Sequence, residues 1–104
     1  ILTGTGQNIY PEEIEDKLNN MPLVLESLII ESKGVLKALI VPDYDTAAQE
    51  NIDKDALKAM MEDNIKQLNT QVASYEKVAL MEIRDSEFEK TPKRSIKRFL
   101  YQEK

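Results

Sequence analysis

The sequence predicts an α+β domain in which a central three-stranded sheet is flanked by about three helices. Three runs rich in branched aliphatic residues, at 23–32, 35–41 and 78–84, have the composition of buried strands. Residues 55–72 carry apolar side chains at intervals of three, four and seven, the spacing of an amphipathic helix. Because helices lie beside three core strands, we expect a small mixed domain.

The composition is that of one globular domain. The chain has 104 residues, of which 41% are hydrophobic and 32% charged, enough for one modest core. It contains no cysteine and no histidine, which excludes disulfides, thiol nucleophiles, the usual zinc sites and histidine-based triads, and no metal site is predicted. No apolar run reaches the length of a membrane span, and we expect no signal peptide. The first residue is an isoleucine within an apparent strand, so we expect a piece of a longer chain.

The amino-terminal stretch is predicted to form a β-hairpin that leads into a helix. Residues 1–3 have strand character, and residues 7–10 can pair back on them across the two glycines of 4–6. Pro11 suits the first position of a helix over 11–20, because its missing N–H would be unpaired there. Ile14 and Leu18 lie one turn apart and should face the core.

Turn and cap residues mark the middle of the chain. Lys33 and Gly34 form a turn signal that would join the first two strands in antiparallel order. Residues 44–52 have room for a single helical turn, and Asp53 is a suitable N-cap for the long helix. The buried stripe of that helix is predicted to consist of Leu57, Met60, Met61, Ile65, Leu68 and Val72.

The remaining predictions concern single side chains. Asp63 and Asn64 should cover the solvent face of the long helix. Val78 and Leu80 should point inward from the third strand, with Met81 as a further inward candidate, and Phe88 should be the apolar residue that anchors the following loop.

Charge is distributed unevenly. The net charge is −5, but residues 1–89 carry −10 and residues 90–104 carry +5. The acidic body argues against a nucleic-acid partner. For the basic tail, one interpretation is a terminal helix over 95–104, with Ile96, Phe99 and Leu100 packed on the body. The other is an anion site, since clustered cations suit phosphate; its candidate residues are Lys90, Lys93, Arg94, Lys97 and Arg98.

Both ends of the chain resemble one enzyme family. GQNIYPEEIE is similar to the G-x-N-I-x-P-x-E-I-E signature that opens the small C-terminal domain of AMP-forming acyl-CoA synthetases, and ILTGTGQNIYPEEIE is most similar to the long-chain fatty acid-CoA ligases. EFEKTPKRSIKR resembles the closing pattern of the same domain, P-K-T-x-x-G-K-I-x-R. The resemblance therefore covers essentially the whole of residues 1–104, as a single domain.

The closing pattern departs from the family at the positions of its glycine and of its catalytic lysine. Lys90 and Thr91 match its Lys-Thr, and the Ile-x-Arg match falls on positions 96 and 98. The family's glycine then falls on Arg94 and its catalytic lysine on Ser95. That lysine orients the carboxylate and stabilises charge during adenylate formation, and a serine cannot supply a positive charge. Lys93 and Lys97 are the candidate substitutes.

The resemblance implies a lid that works on a larger enzyme. An N-terminal adenylate-forming domain would bind ATP, Mg²⁺ and the fatty acid, and this domain would bind no cofactor alone. It would close over the acyl-adenylate and then swing, so that another face lines the pantetheine tunnel of coenzyme A. The tunnel candidates are Gly4, Thr5, Gly6, Gln7 and Asn8.

The expected activity is that of a fatty acid-CoA ligase, with the isolated domain inactive. The expected location is the cytoplasm, with peripheral membrane attachment through the absent domain as a variant. The competing interpretation is a non-enzymatic α+β binding module whose basic tail docks an anionic partner.

Overall fold

A computed structural model describes residues 9–101 of the chain. Residues 1–8 of the predicted amino-terminal hairpin lie outside this range, and its last two residues, Ile9 and Tyr10, are not in a strand. The helices are α1 (Pro11–Asn19), α2 (Tyr44–Gln49) and α3 (Lys54–Asn69), and the strands are β1 (Val24–Ser32), β2 (Val35–Pro42) and β3 (Val78–Ile83). Two single 3₁₀ turns, Ser74–Glu76 and Arg98–Leu100, complete the elements. The predicted α+β class, with three strands and three helices, is confirmed.

The sheet has the order β1-β2-β3. β1 and β2 are antiparallel, and the two-residue turn between them has positive φ at both Lys33 (+52°) and Gly34 (+83°). Two positive φ angles match the right-handed twist of the paired strands, which is why this turn closes a hairpin. β3 pairs in parallel with β2 after a crossover through α2 and α3.

The helices begin where the sequence predicts. Pro11 opens α1, and Ile14 and Leu18 are buried beneath it. Asp53 caps α3, because its Oδ1 accepts a hydrogen bond of 2.8 Å from the Ala56 N–H. α3 ends at Asn69, three residues before the predicted end at 72.

Asn64 was predicted to be solvated, and this is wrong. Asp63 is exposed, but the Asn64 side chain is buried, and its Nδ2 donates to the Pro22 carbonyl at 2.9 Å. The carbonyl belongs to the segment between α1 and β1, so a tertiary contact supplies the partner that makes burial of the amide favourable.

Leu80 was predicted to point inward, and this is also wrong. Val78 is buried as expected, but Leu80 is 43% exposed. A bulge explains the difference: Leu36 pairs with Val78, whereas the next residue, Lys37, pairs with Leu80. The extra residue reverses the alternation of β3, so that Met81, the further candidate, packs on the core together with Ile83.

The predicted terminal helix over 95–104 is wrong within the described part of the chain. Lys90 and Ile96 form an antiparallel bridge, and the Thr91 N–H donates to the Ser95 carbonyl at 2.8 Å. These backbone groups pair across a hairpin and are not available for a helix. Only the 3₁₀ turn follows. Ile96 packs against the body as predicted, but Phe99 is 72% and Leu100 46% exposed.

The two faces of the sheet carry separate cores. The helix-side core packs α1 and α3 against one face and includes Ile14, Leu18, Ile29, Ile40 and Met61. The tail-side core occupies the other face, where Leu28, Ile30, Leu39 and Val41 lie under Phe88, with Ile96 and Tyr101 beside it. The carboxyl-terminal segment therefore takes the place of a helix on that face.

Candidate functional site

The candidate site is residues 90–98, here called the basic loop. Its two sides are joined by the Lys90–Ile96 bridge, and the Lys97 N–H extends the pairing by donating to the Glu89 carbonyl at 2.9 Å. At the tip, the Arg94 N–H donates to the Thr91 carbonyl at 2.8 Å, and the Ser95 N–H donates to Thr91 Oγ1 at 3.2 Å. Thr91 therefore organises the turn from inside.

Arg94 occupies a backbone conformation that favours glycine. Its φ is +65°, in the left-handed region where a Cβ atom is costly. The resemblance places the family's glycine at this position. The backbone is thus the one that the family's residue would adopt freely, and it supports the alignment that puts Ser95 at the lysine position.

Lys90 is held by acidic side chains on one side of the loop. Its Nζ lies 2.9 Å from Glu26 Oε1 and 3.4 Å from Glu87 Oε1. The other oxygen of Glu26 accepts a hydrogen bond of 2.9 Å from the Phe88 N–H. The hydrogen bond with Glu26 raises the pKa of Lys90, and the ammonium is the stable form.

Arg98 is held on the other side by Glu15 of α1. Its Nη1 donates to Glu15 Oε2 at 2.9 Å, and its Nη2 donates to Oε1, so the pair is bidentate. Glu15 Oε2 also accepts the Ile29 N–H at 2.7 Å, on the outer edge of β1. Burial raises the pKa of Glu15, and the hydrogen bonds from Arg98 and Ile29 offset part of that rise.

The five predicted anion-binding residues thus fall into two groups. Lys90 and Arg98 form internal ion pairs. Lys93 and Arg94 are exposed and Lys97 is half-buried, and none of them forms a salt bridge with any carboxylate within residues 9–101. The structure therefore leaves a cationic tip between two fixed ends.

Ser95 is exposed beside these cations. Its carbonyl and N–H are both used to close the turn with Thr91. The side chain brings no charge to the tip, whose cations are Lys93, Arg94 and Lys97.

The structure gives less information on the tunnel, metal and membrane expectations. The tunnel candidates at positions 4–8 lie outside the described residues, and their neighbour Ile9 is buried in the helix-side core. Within residues 9–101, no group of three or more acidic side chains could hold a metal ion. No helix in that part of the chain is long and apolar enough to cross a membrane.

Sequence reasoning missed the two glutamates that hold the loop. Glu15 belongs to a run of acidic residues near the amino end of α1, where negative charge is favourable, yet it is buried next to Ile14 and one turn before Leu18. That position on the apolar stripe was an available signal. Glu26 lies in an apolar strand, and nothing in the sequence indicated which cation would meet it.

The family model for the AMP-binding enzyme C-terminal domain matches residues 1–104. The chain belongs to this family. No curated protein matches the sequence.

Solved structures of adenylate-forming enzymes share the fold of this C-terminal domain. The adenylation domain of a carboxylate reductase from Mycobacterium chelonae aligns with a TM-score of 0.79 at 19% identity, over 96% of this chain and 17% of its own. An acyl-CoA synthetase from Brucella canis aligns with a TM-score of 0.73 at 20% identity, over 98% of this chain and 18% of its own.

The fatty acyl CoA synthetase of Mycobacterium tuberculosis is also similar, with a TM-score of 0.67 and 22% identity over 96% of this chain and 18% of its own. At these identities the likeness shows the fold. The chain spans less than a fifth of each of these three proteins. Family membership makes it a C-terminal domain of the adenylate-forming enzymes.

Proposed function

We propose that this domain is the mobile lid of an ATP-dependent, AMP-forming fatty acid-CoA ligase. It closes over the acyl-adenylate site of an N-terminal adenylate-forming domain in the same chain, and the complete enzyme uses ATP, Mg²⁺ and coenzyme A. The observation that carries the proposal is the basic loop, in which Lys93, Arg94 and Lys97 form no salt bridge within residues 9–101, on a C-terminal domain of this family. The isolated domain is inactive, because the sites for ATP and acid belong to the other domain.

The cations at the loop tip have a defined task in this proposal. In adenylation, a carboxylate oxygen attacks the α-phosphorus of ATP and pyrophosphate leaves, so negative charge must be stabilised where the two meet. Lys93, Arg94 and Lys97 supply positive charge within reach of the loop tip, whereas Ser95 supplies none. In a site closed to water, such a charge is worth several kcal/mol of transition-state stabilisation.

The coenzyme A step uses a different part of the domain. We assign residues 4–8 to the pantetheine tunnel, on the resemblance of their two spaced glycines to the family motif. A glycine lets a ligand approach the backbone closely, because no Cβ intervenes. The choice of a fatty acid as substrate rests on the similarity of the first fifteen residues to the long-chain ligases.

The test is made with the full-length protein. Fatty acid-dependent exchange of pyrophosphate into ATP should occur with the parent and fall in either Lys93→Ala or Lys97→Ala, while Ser95→Lys should retain or raise it. The isolated 104-residue chain should form no acyl-CoA.

Two results would contradict the proposal. If the full-length protein showed no fatty acid-dependent exchange, the assignment as a fatty acid-CoA ligase would be contradicted. The interpretation as a module that docks an anionic partner would then stand in its place. Exchange at the parent rate in both alanine variants would remove the catalytic role of these lysines and return the loop to solubility and packing.

A further inference from the structure

Hydrogen bonds within the basic loop determine its shape, but they do not determine how the loop is oriented relative to the sheet. Hydrogen bonds from Thr91, Arg94 and Ser95 close the tip internally. The placement of that tip relative to the sheet depends on what holds its two ends. Those ends are Lys90 and Arg98, and each meets a glutamate from the first quarter of the chain.

We propose that Glu26, acting through Lys90, is a positioning residue that aims the basic loop at the adenylation site. The inference rests on the proposed function and deepens it. It takes Lys90 out of the anion-binding group and makes it the fixed base from which Lys93 and Arg94 reach outward.

The geometry of Glu26 matches this role. Its side chain is 12% exposed and lies on the tail side of the sheet, where one oxygen contacts Lys90 Nζ at 2.9 Å. The other oxygen receives the Phe88 N–H at 2.9 Å. A single carboxylate therefore fixes both the backbone just before the loop and the first cation within it. A charged hydrogen bond to a largely buried acceptor is stronger than a neutral one, so this contact restrains the loop more than an exposed ion pair would.

Substitution of Glu26 is a better test of loop positioning than substitution of Glu15, because it disturbs the fold less. Glu15 holds the Ile29 N–H on the edge of β1 as well as Arg98, and replacing it would disturb the sheet and the loop together. Glu26→Gln, in contrast, keeps an oxygen for the Phe88 N–H and removes only the charge that pairs with Lys90.

The chain offers a matched control. Glu82 lies 3.3 Å from Lys37 Nζ in an ion pair between β3 and β2, on the same face of the sheet but outside the loop. Glu82→Gln makes the same chemical change without altering either end of residues 90–98.

The experiment measures the two half-reactions of the full-length enzyme separately. Glu26→Gln should lower fatty acid-dependent pyrophosphate exchange roughly tenfold, because a small displacement of a catalytic group is costly. Glu26→Ala should lower it further. Acyl-CoA formation from preformed acyl-adenylate and coenzyme A should stay within about twofold of the parent in both variants, and Glu82→Gln should leave both half-reactions unchanged. Lys90→Met combined with Glu26→Gln should cost no more than either alone, since both act through one contact.

The contrary results are distinct. The positioning role of Glu26 would be overturned if the Glu26→Gln enzyme catalysed pyrophosphate exchange at the parent rate. It would also be overturned if this variant lost both half-reactions equally and lost thermal stability as well. A parent enzyme without fatty acid-dependent exchange would overturn the proposed function instead. Amide hydrogen exchange over residues 88–98 reports on the loop without activity: it should be faster in Glu26→Gln than in Glu82→Gln, and equal rates would overturn the inference.

Discussion

The two faces of the sheet are covered in different ways. On the helix side, α1 and α3 bury a continuous set of aliphatic side chains, and Ile14, Leu18 and Met61 have almost no exposed surface. On the tail side, an irregular segment covers the strands through Phe88, with Ile96 and Tyr101 only partly buried beside it. The first face is held by apolar packing, and the second by a small core together with ion pairs, among them Lys90–Glu26.

The residues of the helix-side core, which stabilise the fold, are therefore different from the residues of the candidate site. The helix-side core contains none of the residues proposed to act on a substrate. The tail-side segment carries all the cations of the loop, and part of its restraint comes from ion pairs that single substitutions can remove. Local opening is easier where few apolar contacts must be broken. The fold thus places its candidate chemistry on the face with the weaker cover.

The largest effect is expected on the helix side. Leu18→Ala leaves a cavity under α1 and should lower the free energy of unfolding of the 104-residue chain by about 2–5 kcal/mol. The measurement is urea denaturation followed by circular dichroism. The control is Leu25→Ala, since Leu25 is 50% exposed on β1. A loss at Leu18 no larger than that at Leu25 would contradict the proposed division of the cores.

A smaller effect is expected on the tail side. Phe88 meets Tyr101 edge-on, with ring centroids 5.0 Å apart, and the Arg84 guanidinium lies 4.9 Å from its ring. Phe88→Leu keeps an apolar side chain but loses these contacts, so the free energy of unfolding should fall by about 1–2 kcal/mol.

Hydrogen exchange distinguishes this loss from a general one. In Phe88→Leu, exchange should accelerate over residues 88–98 more than in α1 or α3. The exposed Phe99→Leu serves as the control. Uniform acceleration across both faces would show that the two cores unfold as one unit.

Replacement of Arg94 by glycine should stabilise the fold, in contrast to the two substitutions above. Arg94→Gly relieves a left-handed backbone and should raise the free energy of unfolding by roughly 0.5–1 kcal/mol, after the greater freedom of glycine in the unfolded chain is counted. Arg94→Ala removes the same charge but keeps a Cβ, so it should give no such gain. Equal stabilities of the two variants in thermal unfolding would mean that charge, and not backbone conformation, governs this position.

The smallest expected effect is on the loss of stability at low pH, and it comes from Asp43, the N-cap of α2. Hydrogen bonds from the Thr46 N–H and hydroxyl lower the pKa of Asp43 below its ordinary value of 3.8. A lowered pKa in the folded state means that the cap stabilises the fold above the ordinary value and loses this contribution as pH falls through the lowered one. In unfolding measurements from pH 6 to about pH 2.5, Asp43→Asn should therefore show a shallower decline than the parent. Parallel declines would exclude Asp43 as a source of acid sensitivity.

The sequence by itself determined the local elements. α1 with its buried Ile14, the Lys33–Gly34 turn and the Asp53 cap follow from residues only a few positions apart. Such short-range preferences act before any tertiary contact forms. The family resemblance likewise came from two linear motifs, and the match over residues 1–104 confirmed it.

Only the tertiary structure decided how those motifs meet. Glu15 of the first motif and Arg98 of the second are separated by 83 positions, yet they form one bidentate pair. The bulge that turns Leu80 outward depends on β2, and the burial of Asn64 depends on a carbonyl near β1. The loop closes through its own hydrogen bonds, and its base lies against the sheet because Phe88 packs on the strands and its N–H donates to Glu26. In each case the deciding partner lies far along the chain, where the pattern of a single segment carries no information about it.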